Sequence, residues 1–171
     1  VFMGLMKEGR ALLTETLVLC RSIGNIWAES VAVLTGAFLD LEEGEFGSAL
    51  AGTKAGEALA IQSGFMGIFV FTGAVRSVIL GALGADDEAV EASSSALHHS
   101  TDTPWAAAAA MGARLQVDHY SGKNEISKAE LTAMIDDTES LVTNRYLQIL
   151  FNVLGDVIAS RGMHEETVRL A

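Results

Sequence analysis

The chain has 171 residues, of which 50% are hydrophobic and 6% aromatic, and its 22 acidic residues against 11 basic ones leave a net charge of −11. This composition excludes a disordered chain, and the single cysteine, Cys20, excludes a disulfide scaffold. It also argues against nucleic acid as a partner, because no basic stripe is present to displace counterions from phosphates. The length predicts a single domain over residues 1–171, and the first residue, Val1, suggests a fragment or a processed form of a longer chain.

The first 41 residues have the pattern of two amphipathic helices, with apolar side chains recurring at steps of three and four. Gly24 is predicted to bend or divide this region, and the polar, glycine-containing stretch 42–47 to end it. Cys20 lies among leucine, valine and isoleucine residues, so we expect its side chain to be buried. No internal repeat is evident in the sequence.

Residues 58–75 form a run of 18 uncharged residues. As one helix this run would be about 27 Å long, at about 1.5 Å per residue, close to the ~30 Å of a bilayer core. Two interpretations stay open: a very apolar central helix that its neighbours bury, or a helix that spans or enters a membrane. Gln62 and Ser63 favour the first interpretation.

A new helix is predicted after Gly84, since acidic residues 86–88 would stabilise its positive end. It ends at the adjacent pair His98 and His99, which point about 100° apart on a helix and do not chelate one ion together. An exposed helix end is the simpler interpretation of this pair. The alternative is a histidine ligand to a porphyrin-type cofactor enclosed by the helices. Pro104 is suited to the first turn of the next helix.

Residues 118–130 resemble the calcium loop of an EF-hand, with helical sequence on both sides. Ile126 falls at the central hydrophobic position of that loop, and Glu130 falls at its last, bidentate position. Asp118 supplies an acidic residue at the start, although beginning there makes the loop one residue too long. The resemblance therefore implies Asp118 and Glu130 as calcium ligands.

The loop departs from the EF-hand pattern at the intervening positions. Residues other than the expected oxygen ligands occupy its first, third and fifth positions, namely His119, Ser121 and Lys123. Asn124 replaces the glycine of the turn. A second interpretation needs no metal: Ser127 and Glu130 have the spacing of a capping box at the start of a helix.

The sequence as a whole predicts an all-α protein, a single bundle of about six to eight helices that includes one very apolar central helix and a wide apolar face over 141–158. Because no phosphate-binding loop, dinucleotide fingerprint, catalytic serine elbow or zinc motif is present, an enzyme is not favoured. We expect a non-enzymatic interaction or structural protein that packs with copies of itself or with another helical protein. The alternatives are a membrane-associated protein with 58–75 in the bilayer and a helical protein that binds a small molecule or cofactor. A soluble intracellular location is favoured over the membrane.

Overall fold

A computed structural model describes residues 6–100, 104–122, 126–139, 155, 157–163 and 165 of the chain. Within these residues the protein is all-helical, as predicted. Seven helices have defined bounds: α1 (Met6–Ser22), α2 (Ile26–Glu42), α3 (Phe46–Ser63), α4 (Met66–Ala82), α5 (Asp86–His98), α6 (Pro104–Tyr120) and α7 (Lys128–Glu139). Most of the apolar face predicted over 141–158 lies outside the described residues.

The first four turns share one geometry, and it recurs every 20 residues. Gly24, Gly44, Gly64 and Gly84 have φ angles of 67°, 79°, 70° and 74°. In each turn the residue after the glycine donates its N–H to the carbonyl five residues back, at 2.8 to 3.2 Å. This is the Schellman ending of a helix, in which glycine adopts the left-handed conformation without steric cost. Helix length and turn geometry thus repeat every 20 residues along α1 to α4.

The apolar run 58–75 is divided between α3 and α4 by one of these turns. Gly64 ends α3 with a φ of 70°, and the Phe65 N–H bonds to the Ala60 carbonyl at 3.2 Å. The prediction of one continuous, very apolar central helix over 58–75 is not confirmed, because the backbone reverses in the middle of the run. Among the described helices, none combines the length and the apolarity needed to cross a bilayer.

From α1 to α5, consecutive helices pack as antiparallel neighbours, since turns of two or three residues return the chain alongside the preceding helix. The helices α1 to α4 pack in chain order, and α4 also contacts α5 and α6. Ten of the 17 residues of α4 are buried. Helix α1 packs against α2 at the edge of this array. Because the helices alternate in direction, the α1–α2 and α3–α4 turns lie at the same end.

Small residues allow α2, α3 and α4 to approach closely. The buried positions of α3 are Ala49, Thr53, Gly56 and Ala60, a single stripe along the helix. A methyl group added at Gly56 would lie 3.4 Å from the Cγ2 atom of Thr72 on α4. Interior packing is dense, so contacts of this kind leave little room for a larger side chain.

The repeated turn predicts the effect of replacing Gly64 with alanine. We expect Gly64→Ala to lower the free energy of unfolding by about 1 kcal/mol, because an L residue is strained in the left-handed conformation. An added Cβ meets nothing within 4 Å there, so backbone strain is the whole effect. At Gly47, inside α3, an added Cβ also meets nothing within 4 Å, and Gly47→Ala should instead raise stability by about 0.5 kcal/mol. Urea denaturation measures both; equal shifts of the two variants in one direction would refute the strain argument.

Candidate interaction surface

His98 and His99 lie at the exposed end of α5, as the sequence predicts for a helix end. The Nδ1 atom of His99 is 2.8 Å from the Ser95 carbonyl oxygen. The His99 ring packs edge-on against Phe69, with ring centroids 5.4 Å apart. The ring centroids of His98 and His99 are 5.1 Å apart. Within the described residues, no three His, Cys, Asp or Glu side chains are grouped to hold a metal ion. A porphyrin-type ligand at His98 or His99 stays a prediction.

Asp118, the first predicted calcium ligand, is buried at the end of α6 and is 2% exposed. Its Oδ2 atom accepts the Ile126 N–H at 3.3 Å and an N–H of the Arg161 guanidinium at 3.2 Å. The same guanidinium donates from Nη1 to the Ile126 carbonyl. These three residues, which we call the Asp118 clamp, join the end of α6, the segment before α7 and the turn at 161. The sequence did not single out Arg161.

Glu130, the second predicted calcium ligand, forms the capping box that begins α7. Its carboxylate accepts the Ser127 N–H at 2.8 Å and the Ser127 hydroxyl at 2.6 Å. The Glu130 N–H is 3.2 Å from the Ser127 Oγ, so the pairing is reciprocal. The hydrogen bond from the Ser127 hydroxyl lowers the pKa of the Glu130 carboxyl. Asp118 and Glu130 thus have different protein partners, and calcium binding between them stays a prediction.

Buried hydroxyl groups in α2 to α5 are bonded within their own helices. Each donates to a carbonyl three or four residues back at 2.7 to 3.0 Å, as found for Ser30, Thr53, Thr72, Ser77 and Ser93. The hydrogen-bonding capacity of these hydroxyl groups is thus satisfied within the helix, and the side chains are small. Their role is therefore in the close packing of the helices.

A half-buried ion pair joins α3 to α4. Arg76 Nη1 lies 2.8 Å from Glu57 Oε2, and the two side chains are 28% and 16% exposed. Burial raises the pKa of the Glu57 carboxyl, and the nearby positive charges of Arg76 and Lys54 oppose that rise. The pair is a contact between adjacent helices.

Large apolar side chains are exposed where the α1–α2 and α3–α4 turns meet. The rings of Trp27 and Phe65 form an edge-to-face contact with centroids 6.1 Å apart, although they are 49% and 38% exposed. Ile61 and Met66, 62% and 43% exposed, lie close to Phe65 in the chain. We call these four residues the tip cluster. Exposed aromatic and aliphatic groups together are typical of contact sites with other molecules.

A second exposed apolar surface follows the length of α1. Leu12, Leu19 and Ile23 are 64%, 59% and 65% exposed. Together with Thr16 they are spaced by four, three and four residues, so they continue one face of the helix, with Ile23 directly after its last residue. The Thr16 hydroxyl is bonded to the Leu12 carbonyl at 2.8 Å, and its polarity is therefore partly satisfied within the helix. We call these four residues the outer face of α1.

The positions equivalent to Leu12 and Leu19 are buried in α2 and α4, and in α3 they are half-buried. Twenty residues further on, Ala32 and Leu39 are 4% and 0% exposed. In α4 the equivalent pair, Thr72 and Ile79, is also 0% exposed. In α2 and α4 these positions therefore serve helix packing, whereas on α1 they are exposed.

The matching face of α2 is the one that binds α1. Gly36, equivalent to Thr16, faces α1, since a methyl group added there would lie 3.2 Å from the Cδ2 atom of Leu13. Glu43, equivalent to Ile23, accepts from Arg10 Nε of α1 at 3.1 Å. The outer face of α1 thus consists of the same positions, counted within the 20-residue repeat, that α2 uses to pack against α1.

Sequence periodicity identified the apolar residues of α1 but not which of them would be exposed. Steps of three and four residues group Leu12, Leu19 and Ile23 with Cys20 on one apolar side, and of these four only Cys20 is buried, as predicted. Two apolar stripes lie side by side on α1, and only the contact with α2 separates them. Comparisons with protein family models, curated proteins and solved structures gave no match for this chain.

Proposed function

We propose that this protein is a non-enzymatic helical interaction protein that docks the outer face of α1 against another helix. The observation that carries the proposal is the exposure of Leu12, Leu19 and Ile23 at 59% to 65% on an edge helix. The equivalent positions of α2 and α4 are covered by neighbours. A further helix on α1 would extend the same antiparallel arrangement by one element.

The size of the apolar surface limits what it contributes to binding. Full burial of a leucine or isoleucine side chain is worth about 2 kcal/mol, so three that are about 60% exposed would add about 4 kcal/mol. Association itself costs at least about 4 kcal/mol in lost translational and rotational freedom. Stable binding therefore requires contributions beyond these three side chains, from the neighbouring charges or from the tip cluster.

The proposal predicts that Leu12→Gln/Leu19→Gln removes binding and preserves the fold. Both side chains are exposed, so circular dichroism and the thermal midpoint should match the parent protein. The probe is a synthetic amphipathic helix with a leucine stripe and glutamine flanks, followed by fluorescence anisotropy. Sedimentation velocity of the protein alone measures binding to a second copy.

The matched control for this experiment is Leu83→Gln. Leu83 is 51% exposed and follows α4 at the opposite end of the array from the tip cluster. We expect this variant to bind like the parent protein. If no probe helix, whatever the charge of its flanks, and no second copy binds in a way that the α1 double variant abolishes, the proposed function is wrong.

A further inference from the structure

We infer that the partner of the outer face of α1 is an amphipathic helix of another protein, with lysine or arginine residues beside its apolar stripe. This inference rests on the proposed function and names the chemistry of the partner. Two observations support it: acidic residues border the outer face of α1, and the arginine residues of α1 are paired with acidic residues of α2.

The free flank of the outer face is acidic. Glu8 and Glu15 are exposed, and each precedes a leucine of the face, Leu12 or Leu19, by four residues. Residues four apart are neighbours on a helix surface, and residues seven apart lie on the same side. The two carboxylates therefore line one edge of the apolar stripe, at the same spacing as the leucines.

The basic side chains of α1 do not neutralise that edge. Arg10 donates hydrogen bonds to Glu43 at 3.1 Å and to Asp40 at 2.7 Å, both on the α2 side, and these bonds raise the pKa of its guanidinium. Arg21 is bound to Glu29 of α2 at 2.7 Å. Lys7 lies about 100° around the helix from Glu8, on the side away from the apolar stripe. The electrostatic field beside the stripe is thus negative.

A second copy of the chain is a poor match for this surface. In an antiparallel pair of α1 helices related by a twofold axis, the same flank of each helix faces its own counterpart. Glu15 of one copy would then approach Glu15 of the other, within an assembly of two chains that each carry a net charge of −11. Like charges that face each other across an interface repel and disfavour that association.

The dimensions of the face define the partner helix. The distance along the axis from Leu12 to Ile23 is about 17 Å, at about 1.5 Å per residue. A partner segment of about three turns would cover it, with leucine-like side chains at steps of three and four. Two basic residues seven apart on its flank would meet Glu8 and Glu15, and ion pairs at the rim of such a contact set specificity and the rate of encounter.

The test compares three probe helices that share one leucine stripe and differ in their flanks, which carry lysine, glutamine or glutamate. We expect the lysine probe to bind at least about tenfold more tightly than the glutamate probe, and to weaken as salt is raised. Leu12→Gln/Leu19→Gln should abolish binding of the lysine probe. Glu8→Gln/Glu15→Gln should remove the preference for lysine over glutamine and leave binding of the glutamine probe unchanged.

A matched charge control separates a specific flank from general attraction to an acidic protein. Glu88 and Glu91 are exposed on α5, and Glu88→Gln/Glu91→Gln removes the same number of charges. This variant should keep the full preference for the lysine probe. Equal losses in the α1 and α5 charge variants, or equal binding of the lysine and glutamine probes, would overturn the inference.

Two outcomes distinguish this inference from the function on which it rests. A dimer in sedimentation velocity that Leu12→Gln/Leu19→Gln dissociates would overturn the basic partner and would uphold docking through α1. Binding of the glutamine probe without any preference for lysine would do the same. Absence of both probe binding and self-association would overturn the proposed function itself.

Discussion

Gly52→Leu is expected to lower the free energy of unfolding by about 3 kcal/mol, the upper range for overpacking a dense interior. The Cβ atom alone would lie 3.0 Å from the Cβ of Ala37 and 3.4 Å from its Cα. The obstacle is thus the α2 backbone and a methyl group attached to it, neither of which can rotate away. A leucine at this position would force α2 and α3 apart, and the small-residue packing between them would be lost.

The control for this prediction is Gly47→Leu in the same helix. No atom lies within 4 Å of an added Cβ at Gly47, so the substitution should be neutral or stabilise by about 0.5 kcal/mol through helix propensity. Gly52→Ala should fall between the two leucine variants. Urea denaturation monitored by circular dichroism gives all three values, and a Gly52→Leu protein as stable as Gly47→Leu would show that α2 and α3 are not in close contact.

Arg161→Met is expected to destabilise the protein by about 3 kcal/mol, the lower range for breaking a buried ion pair by removing one partner. The Asp118 side chain is 1% exposed, and its carboxylate would keep the Ile126 N–H and lose the guanidinium. The Ile126 carbonyl would lose a donor at the same time. The end of α6 would then be less firmly joined to the segment that precedes α7.

A double-mutant cycle tests whether the loss comes from the charge on Asp118. Asp118→Asn/Arg161→Met replaces the carboxylate with a neutral amide, so its cost should be smaller than the sum of the two single substitutions. Arg161→Lys keeps the positive charge but not the paired N–H groups, and we expect an intermediate loss. Additive costs in the cycle would mean that Asp118 and Arg161 stabilise the fold independently.

Local features of the chain were predictable because they depend on residues within one or two helical turns. The division at Gly24, the acidic start of α5, the start of α6 at Pro104 and the capping box of Ser127 and Glu130 are all present. Each involves backbone groups at a helix end and a side chain a few residues away. Such interactions form in the same way whatever the helix later packs against.

The Asp118 clamp was not predictable, because Arg161 is 43 residues from Asp118 in the chain. Its sequence signature is a single aspartate, which also suits the first position of a calcium loop. An aspartate carboxylate can bind a calcium ion or accept hydrogen bonds from a guanidinium, and the fold determines which of these partners lies beside it. The capping-box interpretation of Glu130 succeeded because its partner, Ser127, is local.

The sequence by itself determined that the chain forms helices, where most of them begin and end, and which of their residues are apolar. Hydropathy did not reveal the turn at Gly64, because apolar residues continue on both sides of it, and the reversal depends on a left-handed glycine. The tertiary structure alone decided which apolar stripes are covered. Leu39 and Leu19 occupy the same position in successive helices, and they are 0% and 59% exposed. The physical reason is that burial depends on a neighbouring helix, and an edge helix has a neighbour on fewer sides.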